Sequence, residues 1–205
     1  MKKYLLLLII PTLLINLSFA QDAKKIQLFL SGGISIPSSP TEFTDYWNLG
    51  FNGGAGIGYV FSPNFSANAY FDFNTMALNE DNFLGDLGAP SGVSIDGGSI
   101  NIITVMANVK GNLIAKPKSI SPYFKVGIGL FSLSATDVTV SYMGVSMTES
   151  LDASEEALGL IFGGGIDFPV SPNILIFIEG NYCVGFTEDE STSFIPIKGG
   201  LIILL

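Results

Sequence analysis

The 205-residue chain contains no histidine and no arginine, a single cysteine and a single tryptophan, and only 13% of its residues carry charge. Without histidine, no Ser-His or Asp-His relay can be built, which removes the commonest route to nucleophilic hydrolysis. A carboxylate pair could still serve as acid and base, but no pair here sits in a recognisable catalytic motif. The lone Cys183 excludes an intrachain disulfide, and its place in an alternating run predicts a buried, inert thiol. All the bases are lysines, and they are outnumbered by eighteen acids, leaving a formal charge of −9. Nucleic-acid binding needs basic patches and is therefore excluded. Nor is there, beyond Ala20, any stretch long and apolar enough for a transmembrane helix.

What is present is hydrophobic: 48% of the residues are apolar, with Gly 24 and Phe 16. The chain opens with Met1-Lys2-Lys3, an apolar run over 4–15, and Ser18-Phe19-Ala20. A basic start, a short greasy core and small residues at the −3 and −1 positions predict a secretory signal peptide over 1–20, cleaved after Ala20. Pro11 interrupts the run, which is short for an uncleaved anchor. No cysteine follows to carry a lipid. One domain is expected over 21–205.

Within 21–205, eight runs alternate with period two: 26–36, 51–61, 65–76, 100–113, 123–133, 158–168, 174–186 and 195–205. Period two is the signature of a β-strand. In 158–168, Leu158, Leu160, Phe162, Ile166 and Phe168 share one face, and Gly159, Gly163, Gly165 and Asp167 the other. In 174–186, Ile174, Ile176, Ile178, Tyr182 and Val184 oppose Glu179, Asn181, Cys183 and Gly185. One face is greasy and rimmed with aromatics, while the other is small or polar. A soluble ligand-carrying barrel would turn the polar face to water, but a water-facing exterior of glycine, asparagine and six charges is too sparsely charged. Lipid is the simplest solvent for the apolar face.

The connections alternate in length. Those at 62–64, 115–122 and 169–173 are short and each contains Ser-Pro, suited to a tight turn. Those at 37–50, 79–98 and 135–157 are long, and 187–194 is intermediate. These longer connections hold most of the acids, among them Glu42, Asp45, Glu80, Asp81, Asp86, Asp96, Asp137, Glu149, Asp152 and Glu188 to Glu190, and no lysine. Such loops could bind divalent cations or a cationic surface partner. The simpler reading is a solvated, mutually repelling surface, and no stretch has calcium-loop spacing. Tyr46 and Trp47 in the first loop predict an adhesive contact or a seat on the membrane surface. Alternation through Val138, Val140 and Tyr142, then Met143-Gly144, Val145 and Met147, predicts a hairpin that extends the strands on either side of it.

The six inward charges, Asp72, Lys110, Lys125, Asp167, Glu179 and Lys198, balance three against three. Enclosed charges must be paired or hydrated. The expectation is a lumen ion-pair network with Asn68, Asn108, Asn112 and Asn181, acting as a polar plug helped by Phe29, Tyr70 and Phe177. The alternative is a narrow pore for ions or small solutes lined by the same groups.

Strand count, the signal peptide and runs such as Gly56-Ile57-Gly58-Tyr59-Val60-Phe61 resemble the small eight-stranded outer-membrane barrels of the OmpA and OmpX type. The resemblance implies an all-β, antiparallel up-and-down transmembrane barrel in the bacterial outer membrane, with short turns in the periplasm and long loops at the cell surface. It implies outer-membrane lipids and the barrel-assembly machinery as partners, and a structural or surface-interaction role. It implies no cofactor and no metal. The family often ends on an aromatic residue, where this chain has Leu205. Lipid-modifying enzymes of this architecture depend on a histidine, which this chain lacks.

Overall fold

The structure, a computed structural model, describes residues 26–115, 119–150, 154–187 and 190–205. The expected signal peptide, together with Lys116, Lys118, Asp152, Glu188 and Asp189, lies outside the described residues. No helix among those described is long and apolar enough to cross a membrane.

Eight strands close into one barrel: β1 (Ile26–Ser39), β2 (Gly50–Ser62), β3 (Phe65–Ala77), β5 (Ser99–Asn112), β6 (Ser121–Ala135), β9 (Ser154–Ser171), β10 (Ile174–Phe186) and β11 (Ser191–Leu204). Each pairs antiparallel with the next. β1 closes the ring on β11 in a register running from Gln27 opposite Leu204 to Ile34 opposite Ile197. Closure leaves no open edge in the membrane, where an unpaired backbone group costs several kcal/mol. The expected strands are all there, but several run further toward the long loops. β9 begins at Ser154, so Glu155 and Glu156, expected in a loop, pair with Leu133 and Ser132 of β6.

The register explains the inward glycines. Gly56 faces Tyr70 across the β2–β3 ladder, Gly129 faces Met106, Gly163 faces Asn181 and Gly200 faces Phe177. Each large inward side chain leans over a glycine on the neighbouring strand. A Cβ on Gly56 would come within 2.7 Å of Tyr70 Cδ1 and the Ala69 carbonyl oxygen. Glycine is therefore what lets a narrow barrel hold aromatics and long polar chains inside. Outside, Phe51, Phe71, Tyr59, Phe65, Phe124 and Phe186 stay exposed, as a lipid-facing wall with aromatic rims requires. At Ala67, Ala69 and Ala107 this wall is recessed into a shallow apolar groove of about 920 Å³.

The long connections fold over one end of the barrel. The first forms α1 (Thr41–Tyr46) and the second forms α2 (Glu80–Asp86), capped by Asn79, whose side chain accepts from the Asn82 amide. After α2 comes β4 (Val93–Gly97), and the third loop contains β7 (Val138–Tyr142) and β8 (Val145–Glu149). Met143 (φ 50°) and Gly144 (φ 82°) both adopt the left-handed conformation that a tight hairpin turn demands. The hairpin was expected to extend the barrel strands flanking it. Instead it leaves the barrel and takes β4 as a third strand, giving a separate sheet in the order β4-β7-β8. The reason is burial. Ile95 of β4 and Val138 of β7 share a sheet face that packs on Leu78, with Tyr46, Trp47, Phe83 and Leu84 around it. An extended barrel strand would have left that face in water.

Candidate functional site

Two apolar clusters and a set of charged groups fill the lumen. At the short-turn end, Phe29, Tyr70, Leu175, Phe177, Ile202 and Leu204 form an apolar cluster, with Phe29 tilted on Tyr70 at 4.9 Å between ring centroids. These positions are inward because the alternation of β1, β3, β10 and β11 puts them there.

The charged groups begin beside this cluster, on β5, β6 and β9, and the six sequence-predicted residues fall together as three pairs. Lys110 donates to Asp167 Oδ1 at 2.8 Å. Asp167 Oδ2 accepts from Asn112, which also donates to Ser121. The Lys110 amine lies 3.4 Å from the centroid of the Tyr123 ring. Lys125 donates to Glu179 Oε1 at 2.7 Å, and Glu179 also accepts from the Tyr123 hydroxyl and from Asn181. Lys198 donates to Asp72 at 2.9 Å and lies 3.7 Å from Glu179, tying the second and third pairs into one network. All six side chains are buried, so neither partner of a pair can fall back on bulk solvent. Asn108 accepts a long contact from Asn68 and stands apart from the ion pairs. On the same side of the lumen Gln27, Asn68 and Asn108 each keep a buried polar atom without a hydrogen-bond partner among the described residues.

A second apolar cluster lies toward the long loops, Met76, Ile102, Met106, Phe131, Leu133, Ile161, Cys183 and Phe194, at the level of a buried polar group in which Ser35 donates to Asn74 and accepts from Asn52. Phe131 and Phe194 meet edge to face at 6.1 Å. Phe43 comes down from α1 into the same cluster, with Trp47 packed at its margin. The alternation points Cys183 and Met106 inward, and otherwise only polar groups and a few aromatics. Carrying the inward phase of β5 and β6 further toward the long loops would have added Ile102, Phe131 and Leu133. Phe43 carried no such signal, because it reaches the lumen from a helix in a loop.

The cap gives Tyr46 and Trp47 contacts that the sequence did not suggest. Tyr46 packs edge to face on Phe83 at 5.6 Å and donates to Asp86 at 2.9 Å. That hydrogen bond, with the Asp86 charge, raises the pKa of the phenol. Trp47 forms a bridge with Leu78. Both join α1 to the second loop. Among the described residues no three acids or cysteines gather to hold a metal ion.

Solved structures with the same fold are distant in sequence. Neisserial surface protein A is similar at 14% identity, with a TM-score of 0.57, covering 88% of this chain and 97% of that one. OprG of Pseudomonas aeruginosa is similar at 12% identity, with a TM-score of 0.51, covering 89% and 98%. No curated protein matches in sequence. The family model described as outer membrane protein beta-barrel domain matches residues 11–195. With a closed eight-stranded ring, a lipid-facing apolar wall and that match, the chain belongs to the outer membrane protein beta-barrel domain family and resides in the bacterial outer membrane.

Proposed function

We propose that this barrel is a closed membrane anchor that holds an acidic, folded cap at the cell surface as an interaction platform, and that it performs no catalysis. One observation carries the reading: the lumen is filled by three buried ion pairs together with one apolar cluster at the short-turn end and a second toward the long loops, into which Phe43 packs from the cap side. An ion entering would have to displace aromatic side chains and then break a buried pair, which costs about 3–5 kcal/mol when one partner is left alone. Export through a signal peptide over 1–20 and release after Ala20 belong to the same reading, with the short turns in the periplasm and the cap outside. The acids of the cap would repel anionic surfaces and attract cations or a cationic partner.

Support for the narrow pore comes from Gln27, Asn68 and Asn108, whose unpartnered polar atoms favour water on that side of the lumen. A planar-bilayer recording on the folded protein separates the two readings. The closed anchor gives no discrete steps. Reproducible steps that change on Asp72→Asn or Lys125→Met would establish the pore instead.

A further inference from the structure

The cap sheet ends on a strand, β8, which pairs with β7 on one side and whose outer edge no described residue pairs. All five of its residues are exposed. Its turn is a two-residue loop, so Tyr142 and Val145 form the first hydrogen-bonded pair and the pairs alternate from there. That places the N–H and C=O groups of Ser146 and Thr148 on the open edge. Edge strands of this kind are normally guarded by lysine, proline or a bulge. Between Val145 and Glu149 there is none of these.

The two faces of the sheet say what would fit there. On one face the cross-strand rows are Val93, Tyr142 and Val145, then Ile95, Val140 and Met147. At β4 this face is covered by the helical loops, and Ile95 is buried. At β8 the cover has run out, and Val145 and Met147 are 70% and 72% exposed. The other face is a hydroxyl ladder, with Thr139 hydrogen-bonded to Thr148 and Ser141 to Ser146. Asp96 and Glu149 lie on the sheet and Asp137 beside it, with no lysine in 37–50, 78–98 or 135–150.

We propose that β8 is a docking edge for an extended segment of a partner protein, one that alternates apolar with hydroxyl side chains and carries lysine or arginine at its ends. The segment adds as a fourth strand, bonding to the free groups of Ser146 and Thr148 and setting its apolar side chains beside Val145 and Met147. Its basic ends face the acids of the cap. The same acids disfavour a second copy of this chain as the occupant, since like charges would be brought together. The inference rests on the interaction-platform reading and supplies its partner class.

The test uses the full chain folded in nanodiscs and a synthetic peptide of alternating valine and threonine with two lysines at each end. Binding should protect the Ser146 and Thr148 amides from hydrogen exchange. An otherwise identical peptide with glutamates in place of the lysines should bind at least tenfold more weakly. Thr148→Pro removes an outward donor and leaves the β7–β8 backbone hydrogen bonds in place, losing only the Thr139 hydroxyl contact, and Met147→Glu spoils the apolar row. Each should weaken binding at least tenfold while heat-modifiable gel mobility still reports a folded barrel. No binding, equal binding of the acidic peptide, binding unchanged by both variants, or β8 protected instead by self-association would overturn the proposal. A barrel that conducts yet binds the peptide would sink the closed-anchor reading alone. A silent barrel that ignores the peptide would sink only this one.

Discussion

Lys110 and Lys125 stand directly opposite each other in the β5–β6 ladder, both inward and both buried, yet each amine turns to a different carboxylate. Like charges opposed across a sheet repel. Here the repulsion is offset because Asp167 and Glu179, from β9 and β10, reach in from the next two strands round. The ring of β5, β6, β9 and β10 is thus held by contacts that cross the lumen as well as by its ladders.

Removing one member of this arrangement should cost far more than removing a charge from the cap. Lys125→Met is expected to destabilise the folded barrel by about 3 kcal/mol, because it takes from the buried Glu179 carboxylate its near cation and leaves only Lys198 at 3.7 Å. Asp81→Asn, on exposed α2, should change stability by no more than about 0.5 kcal/mol. The double variant Lys125→Met/Glu179→Gln should recover part of the loss. Urea unfolding in lipid vesicles reads all three, and equal effects of the lumen and cap variants would count against a structural role for the pair.

The glycine positions divide by what lies over them. Gly56→Ala pushes a methyl group against Tyr70 and the Ala69 carbonyl, and a loss of about 1–3 kcal/mol is expected from the overpacking. Gly180, in contrast, has nothing within 4 Å of an added Cβ. Gly180→Ala should be neutral or slightly stabilising, since it also restricts the unfolded chain. The same unfolding experiment checks both, and a destabilised Gly180→Ala barrel would mean that the wall at this point is not free.

Much of this architecture was legible in the sequence because a barrel wall between lipid and a packed lumen enforces period two along each strand. Ile26, Leu28 and Leu30 face out and Gln27 and Phe29 face in for the same reason that their alternation could be read. The inward lysines and acids were equally visible as charges in the wrong phase for lipid. The cap was not legible in the same way. Ile95 and Val138 are apolar residues in polar loops, and they gain meaning only once strand pairing brings the second and third loops together. Phe43 likewise shows no period, since α1 has only six residues. Contacts between separate loops carry no repeat for a pattern to reveal.

The topology of the cap can be checked on cells. Single cysteines at Ser91 and Ser146, in a Cys183→Ser background, should react with an impermeant thiol label on intact cells. A cysteine at Asn64 or Asn173, in the short turns, should not react until the outer membrane is opened. Labelling of the turn positions alone would invert the barrel and place the acidic sheet in the periplasm.

The last expectation concerns pH. The Tyr46 phenol donates to Asp86, which raises its pKa above the ordinary 10.0, so the folded cap holds this proton more tightly than the unfolded loop does. Its contribution to cap stability is therefore complete below the unfolded value and is lost as pH climbs through the folded one. Trp47, the only tryptophan, adjoins Tyr46 in the chain and packs in the same cluster, so its fluorescence reports the clamp between α1 and α2. Emission should stay constant through neutral pH and shift to the red at strongly alkaline pH, while heat-modifiable mobility shows the barrel still closed. Tyr46→Phe lacks both the proton and the hydrogen bond, and its emission should start further to the red and respond less to alkali. An identical alkaline transition in both proteins would assign the change to another group and leave the Tyr46–Asp86 bond without a part in holding the cap.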